Sequence, residues 1–186
     1  MKQTTFRLTS MSFLVALAIL LKRLGSIRLV IAGVEGVRLG FGSLPVVMAG
    51  AMFGPVGGGI VGALEDLVGY FINPAGAYMP NFTVASALTG IIPGLILMSR
   101  REQVPSVLHL ALAVGAGQAV ASVGLTTYWL ETLFGIPRAV TIPPRIASLV
   151  INMALYPVMI RLLLLRLSGA GVLSRLGVLA HNKDAS

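Results

Sequence analysis

Glu65 and Asp66 stand side by side within an apolar run, GPVGGGIVGALEDLVGYF. A carboxylate is costly to hold in a bilayer, so an intramembrane acid marks either an ion pair or a ligand site. Both readings are open here. One acid pairs with an arginine such as Arg38 and pins two helices together, or Asp66 accepts hydrogen bonds from an amino-heterocycle. Adjacent helical residues point about 100° apart, so the two acids are not expected to serve one spot. A second group is cationic. Residues 20–45, LLKRLGSIRLVIAGVEGVRLGFGSLP, set Lys22, Arg23, Arg28 and Arg38 against Glu35 alone. Lys22 and Arg23 end an apolar run and read as interfacial, snorkelling side chains. Arg38 and Arg145 each sit at the mouth of an apolar segment beside glycine or proline turns, where a basic vestibule would attract an anion. The third group is aromatic: Tyr78 and Phe82 in the uncharged stretch INPAGAYMPNFTVAS, and Trp129, the sole tryptophan, in TTYWLETLFGIP. These rings suit an interfacial belt, or a lid and stacking surface over a ligand.

The elements that must position these groups are membrane spans. Of 186 residues 56% are hydrophobic and 11% charged, against about 25% charged in a soluble domain, and the mean hydropathy is +0.91. Crossing a hydrocarbon core takes roughly 20 apolar helical residues. That ruler predicts six spans, at about 8–24, 38–53, 56–72, 82–98, 106–134 and 144–167, broken at Gly54-Pro55, Asn73 to Pro80, Arg100 to Pro105 and Gly135 to Pro144. Residues 168–186 form a polar tail. The expected fold is a single domain, an all-α integral membrane protein, a compact bundle of six transmembrane helices capped by outer loops. Small residues recur four apart at Gly50/Gly54, Gly58/Gly62, Gly90/Gly94, Ala111/Gly115/Ala119 and Ser12/Ala16, with Gly69 added to the Gly62 face. Such stripes let helices approach closely in lipid.

Six spans place both termini on one side. With the termini inside, the inner segments carry eight of the 14 lysines and arginines and the outer segments six, a weak positive-inside bias. The net charge of +8 is assigned to membrane orientation and anionic lipid rather than to nucleic acid. The chain has no cysteine, and its two histidines, His109 and His181, are too far apart to suggest a metal site. It has no G-x-x-x-x-G-K-[ST] phosphate loop, so it cannot hydrolyse ATP by itself, and no H-E-x-x-H or G-x-S-x-G motif. Neither a cofactor nor a metal is expected. An intramembrane enzyme using Glu65 or Asp66 is the minor alternative.

The runs VRLGFGSLPVVMAGAMFGPVGGGIVGALEDLVGYFINPAGAYMPNFTVASALTGIIPGL and LTTYWLETLFGIP, followed by PPRIASLVINMALYP, resemble the substrate-binding S component of energy-coupling-factor vitamin transporters, in its folate-type branch. The resemblance covers about residues 8–167, with R-x-G-F-x-x-L-P and P-x-F-T its most specific elements. It implies a membrane subunit that captures a vitamin, folate first among them, from the outer side. It further implies association with a transmembrane T subunit and two cytoplasmic ATPases, in a cell membrane with both termini cytoplasmic. Small residues on helix 1, here Ser12 and Ala16, would dock on the T subunit; the serine departs from the usual alanine pair. For folate, Arg38 and Arg145 would hold the carboxylates, Asp66 the pterin amino edge, and Tyr78, Phe82 and Trp129 would stack or close, with Asn73 and Asn152 as polar contacts. Alternatives are an S component for pantothenate or a thiamine precursor, and a stand-alone secondary transporter.

Overall fold

The computed structural model describes residues 2–24, 26–31, 34–72, 74, 78–98 and 104–169, and for residues 2–3, 26–31 and 34–40 it describes the backbone alone. The chain runs α1 (Lys2–Leu24), β1 (Ser26–Ile31), β2 (Val34–Gly40), a 3-10 turn (Phe41–Ser43), α2 (Leu44–Ile72), α3 (Pro80–Met98), α4 (Val107–Gln118), a π-helical segment (Ala119–Thr126), α5 (Thr127–Phe134) and α6 (Arg138–Gly169). Among the described residues, five stretches are long and apolar enough to cross a membrane, within 4–24, 41–72, 80–98, 107–134 and 138–169.

One of these five holds two helical limbs that fold back on each other. Gly54 takes φ 76° and ψ −172° within α2 and is followed by Pro55. A left-handed φ favours glycine, and the proline removes a backbone donor, so the helix turns back here. A Cβ built on Gly58 would stand 2.8 Å from the Gly50 Cα. Eight residues of straight helix would separate the two by about 12 Å. The limbs 44–53 and 55–72 are therefore antiparallel neighbours, and the bundle has six helical layers. The protein is an all-α integral membrane bundle.

Glycine sets how closely both limbs of α2 meet α3. Cβ atoms on Gly50 and Gly58 would each come within 2.5 Å of the Gly90 carbonyl oxygen, and one on Gly62 within 2.3 Å of the Ser86 carbonyl oxygen. Gly94 lies against Pro55 in the same way. A Cβ on Gly69, expected to extend the Gly62 face, would meet nothing within 4 Å. The buried apolar core gathers Leu14 and Ala18 of α1, Val46, Val47 and Val61 of α2, Leu110 and Val114 of α4, and Tyr156 and Ile160 of α6.

The first connection corrects the expectation of a loop. Residues 26–31 and 34–40 pair as antiparallel strands with Ser26 opposite Gly40 and Arg28 opposite Arg38, and a bulge at Leu29/Val30. The second span, expected from residue 38, consequently begins at Leu44, because residues 34–40 pair as a strand that lies against α6.

Candidate ligand site

The acids of α2 meet a cation from α1. Lys22 Nζ lies 2.8 Å from Glu65 Oε1 and 3.5 Å from Asp66 Oδ1. The contact to Glu65 is an ion pair rather than a well-directed hydrogen bond. Ser86 donates to Glu65 Oε2 at 3.0 Å, and Thr83 donates to Asp66 Oδ2 at 2.8 Å. The Tyr78 hydroxyl joins Thr83 Oγ1 at 2.8 Å, and the Tyr78 ring lies 5.2 Å from that of Tyr70. Two sequence expectations change here: Lys22, read as a snorkelling side chain, pairs with the buried Glu65, and the two acids share this one partner. Adjacent helical carboxylates diverge, but a four-carbon lysine stem approaching from another helix reaches both. Arg23, by contrast, donates to the Gly69 carbonyl at the exposed rim, 3.2 Å away.

A second polar group lies between α6 and the α4–π–α5 rod. Arg145, Asn152 and Tyr156 occur at i, i+7 and i+11, one face of α6. Asn152 Nδ2 donates to Gln118 Oε1 at 3.0 Å, and both side chains are buried. Arg145 Nη1 donates to the Ser122 carbonyl at 3.2 Å and to its hydroxyl at 3.1 Å. The Tyr156 hydroxyl meets Ser43 Oγ at 3.0 Å. Gly42, next to Ser43, is pressed against Lys22, whose Cβ would be 2.9 Å from a Cβ there. The two groups thus abut through the 3-10 turn and form a polar strip across the apolar bundle.

The strip is not fully satisfied from within. Among the described residues, Gln118 Nε2, Thr127 Oγ1 and Arg145 Nε are buried and have no hydrogen-bond partner. Buried polar groups are nearly always paired, so these three, unlike the Glu65 Oε1 that faces Lys22, ask for an external partner. The amide nitrogen and the guanidinium nitrogen can only donate, and the hydroxyl can donate as well. What fits is a molecule rich in acceptors, such as carboxylates, ring carbonyls and ring nitrogens.

The expected site residues fall as follows. Asp66 and Tyr78 belong to the first group, with Phe82 half-buried in the first turn of α3, its backbone nitrogen bonded to the Met79 carbonyl at 3.1 Å. Arg145 and Asn152 belong to the second. Trp129 is half-buried on α5. Arg38 is placed by its backbone alone, on β2, and Asn73 lies outside the described residues. Ser12 and Ala16 are exposed on α1, on the side away from the buried Leu14 and Ala18. Sequence reasoning missed Lys22, Gln118 and Thr127. An uncharged amide in an apolar span was the signal available for Gln118.

An apolar helical bundle with a strip of acceptor-seeking groups across it has the character of a membrane binding or transport subunit. The family model described as ECF-type riboflavin transporter, S component, matches residues 2–168. The chain belongs to this family of S components. It is similar to the folate transporter FolT of Clostridium novyi (strain NT), with 39% identity over 125 residues, 67% of this chain and 68% of that one. The folate transporter FolT of Leuconostoc mesenteroides subsp. mesenteroides is 23% identical over 133 residues, 72% of this chain and 68% of that one. The crystal structure of FolT bound with folic acid has the same fold, with a TM-score of 0.67, 23% identity, and coverage of 82% of this chain and 87% of that one.

Proposed function

We propose that the chain is the folate-capturing S component of an ATP-driven importer of the energy-coupling-factor type. The observation that carries this reading is the set of buried, unpartnered donors on Gln118, Thr127 and Arg145. Folate offers matching acceptors, a pterin edge at one end and two carboxylates at the other. Asn152 and Arg145 are seven residues apart on one face of α6, about 10.5 Å along the axis. That separation suits a heterocycle beside Gln118 and Asn152 with its carboxylates reaching Arg145. Guanidinium pairs with carboxylate in a two-point fork, which favours arginine for that end. Arg28 and Arg38, opposite one another on the hairpin, provide further cationic positions at the mouth. Tyr78, Phe82 and Trp129 close over the ring, Asn73 adds a polar contact, and Asp66 serves the pterin amino edge when the Lys22 contact yields.

The 39% identity to a folate transporter supports folate over other vitamins. Riboflavin is the second reading, favoured by the family description; its isoalloxazine also presents ring carbonyls, but it carries no carboxylate for the arginines. The chain sits in the cell membrane with both termini cytoplasmic and the hairpin outside. Ser12 and Ala16 dock on a transmembrane T subunit, and two cytoplasmic ATPases supply the hydrolysis for which this sequence has no phosphate loop. Reconstitution into liposomes tests the assembly. Folate accumulation is expected only when the T subunit, both ATPases and ATP are present. Accumulation by this chain alone, driven by an ion gradient, would establish a stand-alone secondary transporter instead.

A further inference from the structure

The rod between residues 107 and 134 is α-helical at both ends and π-helical over Ala119–Thr126. π-Helical turns are rare and are frequently found at functional sites. The change of helical phase here is visible in the bonding. Thr126 Oγ1 reaches back five residues to the Ala121 carbonyl at 2.7 Å. The Thr127 backbone N–H bonds to the Gly124 carbonyl, while the Ser122 carbonyl accepts from Arg145. The wide turn thus ties α6 to the rod at Ser122.

Its second effect concerns Gln118 and Thr127, which flank it. In an unbroken α-helix these residues, nine apart, would face opposite sides, since 9 × 100° leaves about 180°. A turn closed by i→i+5 bonds advances each residue by less than 100°, which draws Thr127 back toward the Gln118 face. Both side chains are in fact buried, 6% and 2% exposed, and each keeps one unpartnered polar atom. Asn152 fixes which end of the Gln118 amide is left over, because its Nδ2 occupies Oε1. The free end is therefore the donor.

We propose that the π-helical segment makes Gln118 a specificity-determining residue: its fixed Nε2 donates to an oxo or ring-nitrogen acceptor of the bound heterocycle, with Thr127 as a second donor on the same face. The proposal rests on the folate reading and sharpens it. A site built around a fixed donor rejects an analogue that presents a donor at the same place, since two donors leave each other unpaired. Folate carries an oxo acceptor on the pteridine where its 4-amino-4-deoxy analogues carry an amino donor.

The test is the ratio of affinities for folate and a 4-amino-4-deoxy analogue, measured on the purified full chain in nanodiscs. Wild type should prefer folate by roughly tenfold to hundredfold. Gln118→Met, which keeps the volume and removes the donor, should bring the ratio close to one. Gln118→Glu, nearly isosteric with an acceptor in place of the donor, should move the preference toward the amino analogue. If neither Gln118 variant folds, Thr127→Val should narrow the ratio by several-fold. A ratio unchanged in these variants, with folate still bound by wild type, would overturn this assignment alone and leave the amide to an ordered water. Failure of wild type to bind folate would overturn the folate reading and this proposal together.

Discussion

Replacing Lys22 by methionine removes the ammonium that faces Glu65 at 2.8 Å and Asp66 at 3.5 Å. Glu65 is 3% exposed and would keep the Ser86 hydroxyl among its described contacts, at 3.0 Å, but lose its cation. Breaking a buried pair by removing one partner costs about 3–5 kcal/mol. Water reaches the lysine, 31% exposed, so the low end applies, about 3 kcal/mol. Glu65→Gln leaves Lys22 to Asp66 and should cost about 1 kcal/mol. Asp66 is 20% exposed and held by Thr83, so it tolerates the missing lysine better than Glu65 does. The double variant therefore should lose less than the sum of the two single changes, with a coupling of about 2 kcal/mol. Taking about 2–4 °C per kcal/mol for a chain of this size, Lys22→Met should melt roughly 6–12 °C below wild type and the double variant clearly above Lys22→Met. Fluorescence of Trp129 during heating in nanodiscs provides the assay. Equal melting of Lys22→Met and wild type, or strictly additive losses in the double variant, would refute the ion-pair argument.

Other consequences of the same geometry are accessible. Gly90→Ala would put a Cβ 2.2 Å from the Gly58 carbonyl oxygen. Backbone cannot swing aside, so melting should fall by at least the about 1–3 kcal/mol typical of overpacking. Gly69→Ala meets nothing within 4 Å, and the same melting assay should show no loss, or a gain of about 0.5–1 kcal/mol from helix propensity. Arg145→Gln should weaken folate binding about tenfold to hundredfold, whereas a folate analogue with both tail carboxylates converted to amides should bind variant and wild type alike in competition dialysis. Leucine at both Ser12 and Ala16, which are exposed on α1, should leave ligand binding intact while abolishing ATP-driven uptake in reconstituted liposomes.

The sequence carries the apolar runs and the Gly54-Pro55 reversal because length, hydropathy and punctuation are local properties. The pairing of residues 26–31 with 34–40 was hidden by its glycines and charges, although SIRLVI is rich in β-branched residues and is followed in the sequence by Ala32-Gly33. Arg145 and Asn152 were legible as polar residues in or beside a span. Their partners were not: Ser122 lies in, and Gln118 just before, a segment whose π-helical phase has no composition signature in AVASVGLT. Lys22 and Glu65 are 43 positions apart in the chain. A pairing of that kind is settled by which helices pack together, and a single sequence does not encode it in any periodicity.

The most direct measurement is equilibrium dialysis of tritiated folate against the purified chain alone, with riboflavin, pantothenate and thiamine as competitors. The account predicts saturable binding close to one folate per chain, not displaced by the other three vitamins. Retention of riboflavin with no retention of folate would contradict it.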